Sequence, residues 1–395
     1  MDAQPFPPVL PTYSRAPIAV DRGEGSWLID TDGRRYLDLT SGIAVNALGH
    51  AHPALVEALV AQAGRLWHSS NLFTIPAQEE LARKMVDATF ADTAFFTNSG
   101  TEALELAVKM VRRYWHAAGA PERQTILTFE GAFHGRSIAA ISAAGSTRMA
   151  DGFAPLLPGF RTLPFGDHAA LEAALDDTVA AVLVEPIQGE GGIRALPAAC
   201  LQGLRAACDR TGTLLVFDEV QCGMGRTGKL FAHEWAGVTP DIMMIAKGIG
   251  GGFPLGGVLA TARAAQAMTA GSHGSTYGGN PLACTVGSRV MDFLTDPAFL
   301  AEVTRKGAAL RAQLDALVAA RPGVLTGVRG KGLLLGIACA VPNTDVVKAA
   351  RDAGLLLVPA ADNVVRVLPP LTITDDEIAE AARRLGTAVA ALQPA

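Results

Sequence analysis

Across 395 residues the sequence carries five cysteines, Cys200, Cys208, Cys222, Cys284 and Cys339, an odd number with no C-x-x-C pair among them. Such spacing argues against a disulfide framework or a zinc site and for reduced thiols in a cytosolic protein. A basic surplus is missing too: 33 Lys and Arg stand against 38 Asp and Glu, a formal net charge of −5 at pH 7. Nucleic acid is therefore not the expected partner. No stretch reaches the roughly 18 apolar residues of a membrane span. The first twenty residues, broken by prolines, lack the basic start and apolar run of a signal peptide. These absences predict a soluble, unexported, cytoplasmic protein. There is no internal repeat and no low-complexity tail. What is abundant is core: 49% of residues are hydrophobic and 18% charged, in a chain long enough for one large and one smaller domain.

Residues 1 to about 20 read as an extended arm, and Ser26–Leu39 as two short strands around the turn Thr31-Asp32-Gly33. His52-Pro53 opens an apolar-periodic helix through about Gly64. His50 and His52 lack a third ligand at zinc spacing, so a helix start and core packing are the reading for them, and no metal is expected. From Thr93 strands and helices alternate, with strands at Ala94–Thr97, Thr125–Phe129, Ala180–Val184, Leu214–Phe217 and Ile242–Ile245 and helices such as Pro197–Thr211. That rhythm marks a mostly parallel sheet with helices on both faces. After Asn280-Pro281 a long helix leaves this unit, and Gly330–Ile337 and Val364–Leu368 read as strands of a smaller α+β unit. The predicted fold class is α/β. The expected boundaries are 1–50 for the arm and small-domain strands, 51–286 for the large domain and 287–395 for the small C-terminal domain.

In an open parallel sheet, ligands bind at the carboxyl ends of the strands. Leu214–Phe217 delivers Asp218 there and Ile242–Ile245 delivers Lys247, so an amine and a carboxylate face one crevice. Glycines at 248, 250, 251 and 252 allow a bulky group to approach. A lysine among apolar strands has a depressed pKa and becomes nucleophilic, which suits a Schiff base. Pyridoxal phosphate requires such a lysine and an acid for its ring nitrogen. These two residues alone fit equally a surface lysine and an Asp capping a turn. Asn98-Ser99-Gly100-Thr101-Glu102, between a strand and a helix whose apolar face is Leu104, Ala107, Val111 and Tyr114/Trp115, is an anion site or an ordinary cap. Phe133 is fit to stack on a flat ring and Arg136 to fork onto a carboxylate. Glu185 and Glu190 bring two carboxylates to another strand end. Their candidate counter-charge is Arg366.

NSGTEA (Asn98–Ala103), FHGR (Phe133–Arg136), EPIQGE (Glu185–Glu190), DEVQCGMGRTG (Asp218–Gly228), Lys247 with its glycines and GSTY (Gly274–Tyr277) occur in the order seen in class III aminotransferases of fold type I. The resemblance runs from Tyr13 to Pro370. It implies pyridoxal 5′-phosphate held by Lys247, with Asp218 paired to the ring nitrogen and Phe133 and Val220 on its two faces. By the same resemblance Gln221 reaches the phenolic oxygen, and Ser99, Gly100 and Thr101 cradle the phosphate. Thr276 would reach the phosphate of the neighbouring subunit, so a homodimer with shared active sites is expected.

SGIAVNALGH (Ser41–His50), SNLF (Ser70–Phe73) and VVRVLPPL (Val364–Leu371) resemble the branch of the class that exchanges amino groups between N-acetylornithine and 2-oxoglutarate/glutamate. That resemblance implies that Arg136 takes the remote carboxylate of either substrate, with Tyr13 beside it, and that Ser275 comes from the partner subunit. Arg366 would take the α-carboxylate of glutamate, and Glu190 would cover Arg366 otherwise. Ornithine aminotransferases carry a tyrosine near Gly42, where this glycine leaves room for an acylated amine. Succinylornithine and N-succinyl-diaminopimelate remain plausible substrates, and 4-aminobutyrate, ornithine or another ω-amino acid is the alternative. A non-catalytic Rossmann-type nucleotide binder is disfavoured, because the glycine run has its lysine on the wrong side for a Walker loop and no ribose-binding acid follows. Lys247→Ala is expected to abolish amino transfer with an unchanged circular-dichroism spectrum, and substantial turnover by that variant would refute the lysine's role.

Overall fold

The computed structural model describes residues 7–394; residues 1–6 of the expected arm lie outside the described residues. The central sheet has seven strands in the order Thr93–Thr97, Gly256–Ala260, Ile242–Ile245, Leu214–Asp218, Val179–Val184, Thr125–Phe129 and Phe160–Leu163. All are parallel except Gly256–Ala260, which runs antiparallel to both neighbours. Every residue of Val179–Val184, Leu214–Asp218, Ile242–Ile245 and Gly256–Ala260 is buried. Sheets covered on both faces need such unbroken apolar runs. The α/β class is thus as expected, with two strands, Phe160–Leu163 and Gly256–Ala260, added to those read from the sequence.

The strand expected to stop at Phe217 includes Asp218, whose register partner is Met244. The carboxylate is therefore fixed by the sheet itself. Past the end of the edge strand Thr93–Thr97, Ser99 caps the helix Gly100–Ala117 by accepting from Glu102 N at 3.3 Å. That helix buries Leu104, Ala107, Val111 and Trp115, the predicted face.

A second, all-antiparallel sheet is ordered Leu325–Lys331, Leu334–Cys339, Val364–Val367, Val358–Ala360. The single strand expected over Gly330–Ile337 is in fact a hairpin. It turns at Gly332, whose φ of 58° suits glycine and where a Cβ would lie 2.5 Å from the backbone of Thr227. A third sheet joins Val20–Glu24, Trp27–Asp30 and Arg35–Asp38 to Leu355–Leu356, tying the N-terminal strands to the C-terminal third. Val20–Glu24 was not read from the sequence: of its five residues only Val20 is apolar, and the strand is mostly exposed. His50 pairs with Asp38 at 2.8 Å, and His52 sits edge-on to Phe293 with ring centroids 5.1 Å apart. No metal-holding cluster occurs among the described residues.

Arg226 is buried with no carboxylate partner. It donates to the carbonyls of Pro369 and Leu333, and burial lowers its pKa to about 9. With Leu333 N donating to Arg226 O at 3.0 Å, this stitches the segment after Asp218 to the hairpin and to the end of the Arg366 strand. The same hairpin turn is pressed by the helix Pro297–Ala320, where a Cβ on Gly307 would come within 2.6 Å of Gly332 backbone. Gly307→Ala is expected to cost about 1–3 kcal/mol of stability through overpacking against rigid backbone. A lowered urea midpoint would show it, and an unchanged midpoint would contradict the contact.

Candidate active site

A cavity of about 320 Å³ opens at the carboxyl edge of the central sheet, with Lys247, Asp218, Glu185 and Gln221 on its wall. Lys247 follows the strand Ile242–Ile245 with φ at 49°, a left-handed backbone that a non-glycine residue adopts only where the surroundings hold it. Burial pushes its ammonium pKa down. The Glu190, Asp218 and Glu185 carboxylates oppose that shift, and Arg366 reinforces it.

Asp218 receives His134 Nδ1 on Oδ2 at 2.7 Å and the Val220 amide on Oδ1 at 3.0 Å. His134 is itself buried. Burial opposes its protonation, but the hydrogen bond to Asp218 and the charges of Asp218 and Glu185 outweigh that, and its pKa is raised. Glu185 accepts from Phe133 N at 3.1 Å and Gly189 N at 3.4 Å. Desolvation, against the pull of His134, pushes its carboxyl up to about 7.

At the other end of the cavity lie Ser99, Gly100 and Thr101, at the N-terminus of an 18-residue helix. Glycine is needed beside them: a Cβ on Gly135 would lie 2.4 Å from Thr101 Oγ1, and one on Gly100 3.0 Å from Val220. Asn98 also lines the cavity, and its amide and side chain are held by Glu102 at 2.6 and 3.0 Å.

Phe133 and Val220 share this wall, so the structure brings together Lys247, Asp218, Gln221, Phe133, Val220, Ser99, Gly100 and Thr101. Glu190 and Arg366 sit behind it as an ion pair, Arg366 2% and Glu190 32% exposed by side chain, with Nη2 to Oε2 at 3.0 Å. Arg136 is exposed and lies over the Phe133 ring at 5.5 Å. Tyr13 is 76% exposed and Thr276 is exposed, and neither is on the wall. Ser275 faces a separate groove shared with Asn71. Gly42 is likewise off the wall. It belongs to a left-handed run from Ser41 to Ala44, with φ 64° at Gly42 itself.

His134, Asn98, Val45 and Phe253 line the cavity without having been given roles from sequence. His134 was legible in principle, standing between two residues already assigned within FHGR. Val45 and Phe253 carry no chemical signal.

The family profile for class III aminotransferases matches residues 10–389. The chain belongs to that family. It is 65% identical over 385 residues, 98% of each chain, to acetylornithine aminotransferase of Rhodobacter capsulatus. Among solved structures it is similar to N-acetylornithine aminotransferase of Stenotrophomonas maltophilia, with a TM-score of 0.85 and 40% identity covering 96% and 97% of the two chains. It is also similar to ornithine aminotransferase of Toxoplasma gondii, a structure with partial occupancy of PLP at its active site, with a TM-score of 0.91 and 33% identity covering 95% and 91%.

The protein is accordingly an aminotransferase whose cofactor is pyridoxal 5′-phosphate. The class III site fits that group: an anion-binding helix terminus, a lysine amine and a buried carboxylate converge on one cavity with an aromatic ring on its wall.

Glu185 gives the site a pH signature. Its folded value of about 7 lies above the 4.5 of an ordinary glutamate, so the native chain holds the proton more tightly than the unfolded one. The stability this confers is complete below about pH 4.5 and is lost as pH rises through about 7. Urea unfolding of the apoprotein at about pH 5 and about pH 7.5 should show a loss on the order of 1–3 kcal/mol that Glu185→Gln reduces. Equal declines in the two proteins would refute it.

Proposed function

We propose that this chain exchanges an amino group between N2-acetyl-L-ornithine and 2-oxoglutarate, giving N-acetyl-L-glutamate 5-semialdehyde and L-glutamate, in arginine biosynthesis. The observation that carries the two-substrate reading is the Glu190–Arg366 pair directly behind the cavity wall. Glutamate has an α-carboxylate beside its reacting amine and needs a cation there, whereas acetylornithine's terminal amine brings none. Glu190 neutralises Arg366 when acetylornithine is bound, because a buried guanidinium left unpaired would be costly. Arg136 takes the carboxylate at the far end of either substrate, with Tyr13 near it.

The bound cofactor supplies an electron sink for the carbanion that forms when the substrate's reacting carbon loses its proton. In this reading Lys247 Nζ carries that proton, the lowered pKa keeping more of the amine unprotonated and free to accept it. Asp218, held by His134 and the Val220 amide, pairs with the ring nitrogen. Phe133 and Val220 hold the ring faces and Gln221 the phenolic oxygen. Ser99, Gly100 and Thr101 take the phosphate.

The preference for an acetylated amine is supported by the named relatives and by the room a glycine leaves at position 42. Acyl groups differ little in binding energy unless a polar partner reads them, so succinylornithine and N-succinyl-diaminopimelate stay within the proposed range. Ornithine is the second reading, favoured by the similarity to the Toxoplasma gondii enzyme.

We also propose a homodimer in which Ser275 and Thr276 serve the partner's site. Trp67, Leu72, Phe73 and Tyr277 support it, being apolar residues exposed by 62–87% beside that loop. Asn71 Nδ2 anchors the loop through the carbonyls of Ser275 at 3.0 Å and Gly278 at 2.9 Å. The proposed location is the cytoplasm, in keeping with five unpaired thiols. The domain division at about residue 286 is proposed with the first fifty residues joining the smaller unit, in keeping with the pairing of Arg35–Asp38 and Leu355–Leu356.

The test is a set of single-turnover half-reactions with N-acetylornithine, 4-aminobutyrate and glutamate, followed by cofactor absorbance. Fast conversion with acetylornithine and glutamate but not 4-aminobutyrate is expected. Arg366→Ala should slow the glutamate half-reaction at least about 100-fold, as loss of a charge-assisted hydrogen-bond pair implies, and the acetylornithine one far less. Equal losses would remove the switching role of Arg366.

A further inference from the structure

Among the residues on the cavity wall, Gln221 touches Arg366. Arg366 Nη1 donates both to Glu190 and, at 3.2 Å, to Gln221 Oε1, while Nη2 donates to Glu190 Oε2 and to Pro359 O at 3.1 Å. A guanidinium has five N–H donors and no acceptor, so only the carbonyl end of the Gln221 amide can face it. The NH2 end must then point away from Arg366. Gln221 Nε2 donates to no protein atom among the described residues, yet it is not a sealed, unpartnered group, and the residue lines the cavity. Its donors are therefore presented to the cavity. Gly189 packs against the whole amide, where a Cβ would come within 2.2 Å of its carbon and oxygen and 2.5 Å of its nitrogen. The side chain has one orientation, and Arg366 selects it.

We propose that Arg366, beyond binding a substrate carboxylate, is a positioning residue that orients Gln221 and polarises its amide, coupling the Glu190–Arg366 switch to the electronics of the bound cofactor. This rests on the proposed role of Gln221 as donor to the cofactor's phenolic oxygen. Donation from Arg366 to Oε1 draws electron density from the amide and strengthens Nε2–H as a donor. A carboxylate that displaces Glu190 takes over its bond to Nη1, the nitrogen that also holds Gln221 Oε1, so the occupancy of Arg366 is transmitted to the ring through one side chain.

The experiment is a pH titration of the absorbance of the substrate-free holoenzyme, for wild type, Arg366→Met, Gln221→Leu and the double variant. A donor to the phenolic oxygen favours the deprotonated form of the bound cofactor, so losing it raises the midpoint. Each single variant should raise it by roughly half to one pH unit, the worth of one hydrogen bond. The double variant should shift no further than either single one, because Arg366 acts through Gln221. Additive shifts would show that Arg366 acts through its charge at a distance, and an unchanged midpoint in Arg366→Met would show that it does not reach the cofactor at all. Either result overturns the relay. Should Arg366→Met fail to fold, Arg366→Lys keeps the charge but loses the fork. An upward shift in that variant supports the relay and an unchanged midpoint overturns it. Failure of the wild-type protein to take up pyridoxal phosphate is a separate outcome, which overturns the proposed function and the relay with it.

Discussion

Burial of charge at the carboxyl edge of the central sheet is the constraint on which the rest of this structure depends. Lys247, Asp218, Glu185, His134 and Arg366 are all removed from most of the solvent within one neighbourhood, and isolated ions in such a place would be prohibitively costly. The chain manages this by pairing and by shifting protons. Asp218 is held by His134, Glu190 covers Arg366, Glu185 moves up to about 7, and the Lys247 ammonium pKa falls. The same balance that makes the site affordable makes it reactive, because an amine of lowered pKa next to a fixed carboxylate is what proton transfer at a substrate carbon requires.

That balance would fail if the groups could drift apart. Asp218 belongs to a strand paired on both sides, and Arg366 belongs to the strand Val364–Val367 of a different sheet. Glu219, adjacent to Asp218, is fully buried and accepts from the backbone of Ala232 at 2.9 Å and of His233 at 2.8 Å, from the His233 ring and from Cys222. The segment leaving Asp218 is thereby locked. Arg226 then carries the lock across to the second sheet through two carbonyls, a pairing that needs no counter-ion and leaves no carboxylate to compete with Glu190 for Arg366. The strand that carries Asp218 and the sheet that carries Arg366 are thus set relative to one another largely by contacts to backbone groups.

Much of the site was legible from the sequence because its chemistry sits directly after apolar runs. Lys247, Ser99 and Phe133 each follow a strand by two to four residues and Asp218 is the last residue of one, and a parallel sheet delivers all such positions to one edge. Elements without that signal were not legible. Val20–Glu24 is an exposed strand of charged residues, and Gly330–Ile337 read as one strand because nothing in its composition reveals that Gly332 must turn against Thr227.

By itself, then, the sequence determined the alternation of the main central strands with helices, the residues that carry charge into the crevice and the family, since these follow from local periodicity and from motifs that keep their spacing along the chain. Only the tertiary structure decided which charges meet. The bond between His134 and Asp218, the orientation of Gln221 by Arg366 and the withdrawal of Glu190 and Arg366 behind the cavity wall join residues up to 176 positions apart. A pairing over that separation depends on how sheets twist and stack. The exposure of Arg136, Tyr13 and Thr276 is of the same kind, because whether a side chain faces solvent or a neighbour is a property of the folded surface.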